Sequence, residues 1–276
     1  VLFASVLLAT LSASAVGGHA GTRQRTLVFG FLPIVSPERL VRRFAPLVDY
    51  LAQRLHVDIR METAPDFGAF LRRTQTERRY DILFTAPHFY YLAQHAAGYR
   101  ALVRVGRPGM RAVIVVPRRS AIRRLADLRG RRLATTDPMA LATVLVRQSL
   151  VRGGLDPDRD LTLVATPSHN ASLLSAYQGR TDAAALMLPL FHHAPARIVR
   201  SMRIVAETGS SPHMPISVAP WIGAAFAARL RSVLMEMPST GRGGRLLRKL
   251  DWPAFVRVGP HDYDALAAIA RQVHGE

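Results

Sequence analysis

The chain has 276 residues, 49% of them hydrophobic, enough to bury a sizeable core and to fill two domains of ordinary size, which excludes a disordered chain. Its net charge of +18 suggests nucleic acid, but Lys249 is the only lysine and the arginines are scattered along the whole chain as pairs such as Arg42-Arg43 and Arg131-Arg132. A basic stripe of the kind that tracks phosphates is missing, so no nucleic-acid partner is expected. Without cysteine there is no disulfide, no lipid-attachment thiol and no thiol nucleophile.

In chain order, residues 1–20 form an apolar run ending in small residues, the pattern of a secretory signal cleaved near Ala20. The apolar part stops near Val16, short of the roughly 20 residues a spanning helix needs. "TLVFGFLP" (26–33) reads as a strand. Ser36 and Pro37 then open a helix with Leu40, Phe44, Leu47, Leu51 and Leu55 at helical spacing, and Pro46 is expected to kink it. "HVDIRME" is a strand, Asp66 caps a helix, "YDILF" is a strand, "HFYYLAQHAAG" a helix and "YRALVRV" a strand. Such alternation predicts an α/β domain with a mostly parallel sheet.

After Gly106-Arg107-Pro108-Gly109 the pattern restarts with "RAVIVVP". "ATTDP" ends a further strand, and the spacing predicts a helix from Asp137-Pro138 to Gly153-Gly154. "LTLVATPSHNASLLSAYQGRTDAAALM" reads as strand, Ser168-capped helix, Gly179 stop and strand. Two or three helices follow "PISVAP", with "STGRGG" (239–244) as a loop between them.

Four segments in this order carry a family likeness: "YDILFTAPHFYYLA", "IRRLADLRGRRLATTDP", "PSHNASLLSAYQGRTDAAAL" and "LDWPAFVRVGPHDYDALAAIA". Together they resemble the PhnD-like solute-binding proteins of phosphate, phosphite and phosphonate ABC transporters, over about residues 26–272. The resemblance implies a type II periplasmic-binding fold of two α/β lobes closing on a ligand. Residues 26–105 with 216–276 would form one lobe and 112–206 the other, joined by a hinge near 105–112 and 206–216. It also implies a periplasmic monomer that delivers a small molecule to inner-membrane permease subunits. The alternative is a ligand-sensing or lipid-trafficking module built on the same lobes.

Ligands of open α/β sheets sit beyond the carboxyl ends of the strands, which points to Thr85, Phe89 and Tyr90 after "YDILF", and to Phe67 in "APDFGAF". Tyr90 matches the tyrosine of the family's G-P-x-S-Y-V-L-A pattern, while Phe89 replaces its serine and Phe67 stands where the family often has tyrosine. Phosphonate binders of the family carry Ser-Thr-Ser-Gly at a second-lobe helix start, and this chain reads Asp137-Pro138-Met139-Ala140-Leu141-Ala142 there. Its hydroxyls are gone and Asp137 adds a carboxylate. The cleft is therefore expected to be apolar, with Met139 and Met187 in its lining and His169 and His213 as orienting groups. No metal, cofactor or catalytic residue is expected: H-E-x-x-H and G-x-S-x-G are absent, and His192-His193 are adjacent and diverge.

Overall fold

The computed structural model describes residues 26–274, and side chains as far as residue 270. The signal segment expected at residues 1–20 lies outside the described residues. The chain first builds β1 (Leu27–Phe31), α1 (Pro37–Leu55), β2 (Ile59–Glu62), α2 (Phe67–Gln75), β3 (Ile82–Phe84), α3 (Pro87–Ala97) and β4 (Arg100–Val105). It then crosses to a second unit made of β5 (Ala112–Pro117), β6 (Arg132–Thr135), α4 (Leu141–Arg152), β7 (Thr162–Ala165), α5 (His169–Tyr177), β8 (Ala183–Met187), α6 (Leu188–His192), α7 (Ala196–Ser201) and β9 (Met202–Glu207). Finally it returns to the first unit with β10 (Pro215–Val218), α8 (Ala224–Glu236), α9 (Gly241–Leu250), β11 (Phe255–Arg257) and α10 (Ala267–His274).

Two sheets result, ordered β11-β4-β10-β3-β1-β2 and β7-β6-β8-β5-β9. Both are mixed rather than mostly parallel by pairing. The β1–β2 and β1–β3 pairs and the β6–β7 and β6–β8 pairs are parallel, whereas β10 runs against both β3 and β4, and β5 against both β8 and β9. β10 and β5 sit inside their sheets and directly follow the two crossings, while β11, at the edge of the first sheet, also runs against its neighbour β4. β4 and β9, which lead into the crossings, run with the strands that end in βα turns, so the strand that receives the chain after each crossing starts at that same edge and runs against them.

Apolar periodicity explains the helices. Leu40, Phe44, Leu47, Val48, Leu51 and Leu55 line the buried face of α1, which continues through Pro46. Phe44 meets Phe31 at 5.1 Å between ring centroids and Phe84 at 5.5 Å, and Trp252 joins them at 5.9 and 5.3 Å. Pairs of this kind add about 0.5–1.5 kcal/mol each beyond their buried area. Asp81, 1% exposed, pins the layer from below: it accepts Val28 N–H at 2.8 Å through one carboxylate oxygen and Trp221 Nε1–H at 2.7 Å through the other.

Two expected boundaries shift. The sequence places a loop at 239–244, but α9 begins at Gly241 because Thr240 Oγ1 accepts Gly243 N–H at 3.0 Å, an N-cap that recruits the glycines into the first turn. Likewise α4 starts at Leu141, not at Pro138. Asp137 Oδ1 instead accepts Met139 N–H at 2.7 Å, closing a turn ahead of a helix whose N-cap, Ala140, carries no capping side chain.

Residues 106–111 and 208–214 connect the units side by side. Met110 and Ser211 exchange both backbone bonds, at 2.7 and 2.9 Å, and Thr208 Oγ1 accepts Ala112 N–H at 3.0 Å. Gly109 makes this approach possible, since a Cβ there would come within 2.9 Å of the Ser211 carbonyl oxygen. Among the described residues no helix is long and apolar enough to cross a membrane.

Candidate ligand cleft

Strands β1, β2 and β3 of the first sheet and β6, β7 and β8 of the second end in turns that lead into helices, and these turns carry most of the sequence-predicted residues. A single hydrogen bond shows that the two edges meet. His88, at the start of α3 in the first unit, holds its Nε2 2.9 Å from the carbonyl oxygen of Met139, in the turn before α4 of the second. His88 is fully buried and its ring lies 4.3 Å from that of Phe89, which in turn packs edge-on against Phe67 at 5.6 Å. Thus Phe67, Phe89 and Met139 are brought together around His88, which the sequence offers only as a possible base or metal ligand and not as a cleft residue. The signal available for it was its place four residues after the end of β3, on a helix opened by Pro87.

Polar groups at this edge are short of partners. Thr85, immediately after β3 and 0% exposed, has an unpartnered Oγ1; so have His88 at Nδ1 and His169, the first residue of α5, at Nδ1. An unmet buried polar atom costs about 1–3 kcal/mol. Burial also keeps these imidazoles neutral: it lowers both His88 and His169 to about 4, the Met139 contact only partly opposing it in His88. The histidines at these turns therefore carry dipoles rather than positive charge.

The remaining predicted residues are placed differently. Tyr90 turns away, its hydroxyl oxygen accepting Ala101 N–H at 3.0 Å and its ring meeting Tyr263 at 4.7 Å. Met187 closes β8 and is 8% exposed within the core. Asp137 is exposed and spent on its own turn. His213 lies in the second connection, where Nδ1 accepts Met214 N–H at 2.9 Å and its carbonyl accepts the Tyr263 hydroxyl at 2.8 Å. Burial, with Arg107 and Arg104 adding to it, lowers His213 to about 4. A surface groove of about 1040 Å³ beside α4 and β7, lined by Val144, Arg147, Leu155 and Leu163, contains none of the predicted residues. Among the described residues no group of His, Asp or Glu is placed to hold a metal ion.

Two α/β units, linked by paired connections and facing each other across the carboxyl ends of their strands, define a two-lobe solute-binding protein of the type II periplasmic class. A family model described as "ABC transporter, phosphonate, periplasmic substrate-binding protein" matches residues 29–263, and the chain belongs to that family of transporter components. Solved structures share the fold. XAC2383 from Xanthomonas citri, determined with chloride ion and with ATP, is 22% identical with a TM-score of 0.79, covering 91% of this chain and 99% and 98% of those chains. PhnD1 from Prochlorococcus marinus, in complex with methylphosphonate, is 16% identical with a TM-score of 0.77, covering 91% of this chain and 99% of its own. A binding-protein component of an ABC phosphonate transporter from Pseudomonas aeruginosa is 16% identical with a TM-score of 0.76, covering 91% and 87%.

Proposed function

We propose that this protein, exported to the periplasm by its N-terminal segment, captures a small, weakly polar ligand between its lobes and hands it as a monomer to inner-membrane permease subunits. The observation that carries the ligand class is the set of unpartnered buried atoms at the cleft edge, Thr85 Oγ1, His88 Nδ1 and His169 Nδ1, on groups that are neutral. A few fixed polar points among Phe67, Phe89 and Met139 suit a ligand held mainly by apolar area and oriented by one polar end. The start of α4 offers no hydroxyl at residues 139–142 for a phosphonate. XAC2383 has been solved with ATP and PhnD1 with methylphosphonate, so the fold accommodates ligands of very different size. The +18 charge attracts anions at long range, but steering raises encounter rates without building a pocket.

Calorimetric titration with phosphate, methylphosphonate and 2-aminoethylphosphonate tests the reading, alongside mass spectrometry of a solvent extract of the purified protein. Weak or no heat from the three anions, and an apolar molecule in the extract, are expected. Tight binding of any of them overturns the ligand class while leaving the carrier role intact.

A further inference from the structure

We infer that His88 makes the cleft selective for ligands that carry an O–H or N–H donor, by presenting an unprotonated Nδ1 whose state is fixed by the bond its other nitrogen makes across the cleft. This rests on the cleft reading above and deepens it. The carbonyl oxygen of Met139 can only accept, so Nε2 at 2.9 Å from it carries the ring proton. A neutral imidazole has one N–H, and placing it on Nε2 leaves Nδ1 as a bare lone pair. That lone pair is buried and has no partner.

The surroundings restrict what can satisfy it. The ring is 0% exposed and lies against Phe89, so bulk water does not reach it. Thr85, three residues earlier, supplies an unpartnered hydroxyl that donates or accepts as the ligand requires. An alcohol donates to Nδ1 and satisfies it. A fully ionised phosphonate head has acceptors alone and leaves Nδ1 unmet, and sites built around a hydrogen bond discriminate strongly against partners lacking it. The same ring bridges the two units, so the bond that sets its tautomer also ties them together.

The test uses the full protein with isotope-labelled histidine and a matched pair of probes, 1-hexanol and 1-methoxypentane, which differ in the donor and little in size. Long-range proton–nitrogen spectra, with the His88 signals assigned by their loss in His88→Phe, should show hydrogen on Nε2 and a bare Nδ1 that shifts on adding the alcohol. The alcohol should bind about tenfold more tightly than the ether, and the preference should vanish in His88→Phe. If that variant does not fold, the ratio in the unsubstituted protein still decides, with signals assigned by fragment labelling. A proton on Nδ1, or equal affinity for the two probes, overturns the inference. Failure of both probes to bind counts against the apolar cleft instead, and the tautomer then judges His88 alone.

Discussion

The hydroxyl oxygen of Tyr90 accepts the backbone N–H of Ala101 at 3.0 Å, beside the irregularity where β4 and β10 slip out of register. A side chain that the family pattern assigns to the ligand here completes a strand. Tyr90→Phe should therefore lower stability by about 1–3 kcal/mol, the cost of leaving a buried N–H unmet, and should change probe affinity less than twofold. Urea unfolding and titration of the same sample separate the two. A large loss of affinity at unchanged stability would return Tyr90 to the cleft.

Gly30 in β1 lies under the ring of Tyr80, so close that any Cβ would overlap the ring carbons. Tyr80 is fully buried and stacked on Phe70 at 5.3 Å, with nowhere to retreat. Gly30→Ala is expected to destabilise by about 1–3 kcal/mol through overpacking, read as a lower denaturation midpoint. Tyr80→Leu in the Gly30→Ala background should recover part of it, because the collision and not the strand conformation is the cause.

Acid should unfold the protein well above the carboxylate range. His88, His169 and His213 fall from 6.5 to about 4 on folding, so between these values the unfolded chain binds more protons and stability decreases as pH falls. Each histidine contributes up to roughly 3 kcal/mol at the bottom of that window. Urea midpoints measured across it should drop steadily, and His88→Gln should flatten the slope by about a third. A flat profile down to the lower value would show that the rings remain solvated.

The long elements are legible in the sequence because their signals are redundant. α1 combines helical spacing of seven buried residues with Pro37 at its start, and the strands β1, β3, β5 and β8 are near-continuous apolar runs. The short elements α6, α7 and β11 are not, since three to six residues hold less than two turns or a full alternation. β9, "MRIVAE", is masked by its two charges. At the cleft, residue type and position after a strand bring out Phe67, Thr85, Phe89, Met139 and His169. The direction in which Tyr90 points depends on the bulge in β4, a tertiary feature with no local signature. The role of His88 depends on a carbonyl 51 residues away, and no spacing rule reaches that far.

Thr240 joins two layers through one oxygen, accepting Gly243 N–H at 3.0 Å and lying 3.1 Å from the Tyr50 hydroxyl of α1. Thr240→Val removes the cap and the link together. A loss of about 1–2 kcal/mol is expected, with fraying confined to the start of α9 in amide exchange.

The threading of β10 between β3 and β4 dictates an order of assembly. Every sheet neighbour of β4 is encoded more than a hundred residues later, so the first lobe stays split into two incomplete pieces until nearly the whole chain has emerged. The second lobe, by contrast, is one uninterrupted stretch, with all its pairings internal. On a chain that appears from its N-terminus, the lobe begun second should finish first and serve as the clamp that returns residues 215–218 to the gap awaiting them. Until then the edges of β3 and β4 stand open to any passing strand. The interval between export and closure of that gap is when this protein is most exposed to aggregation and most in need of a chaperone.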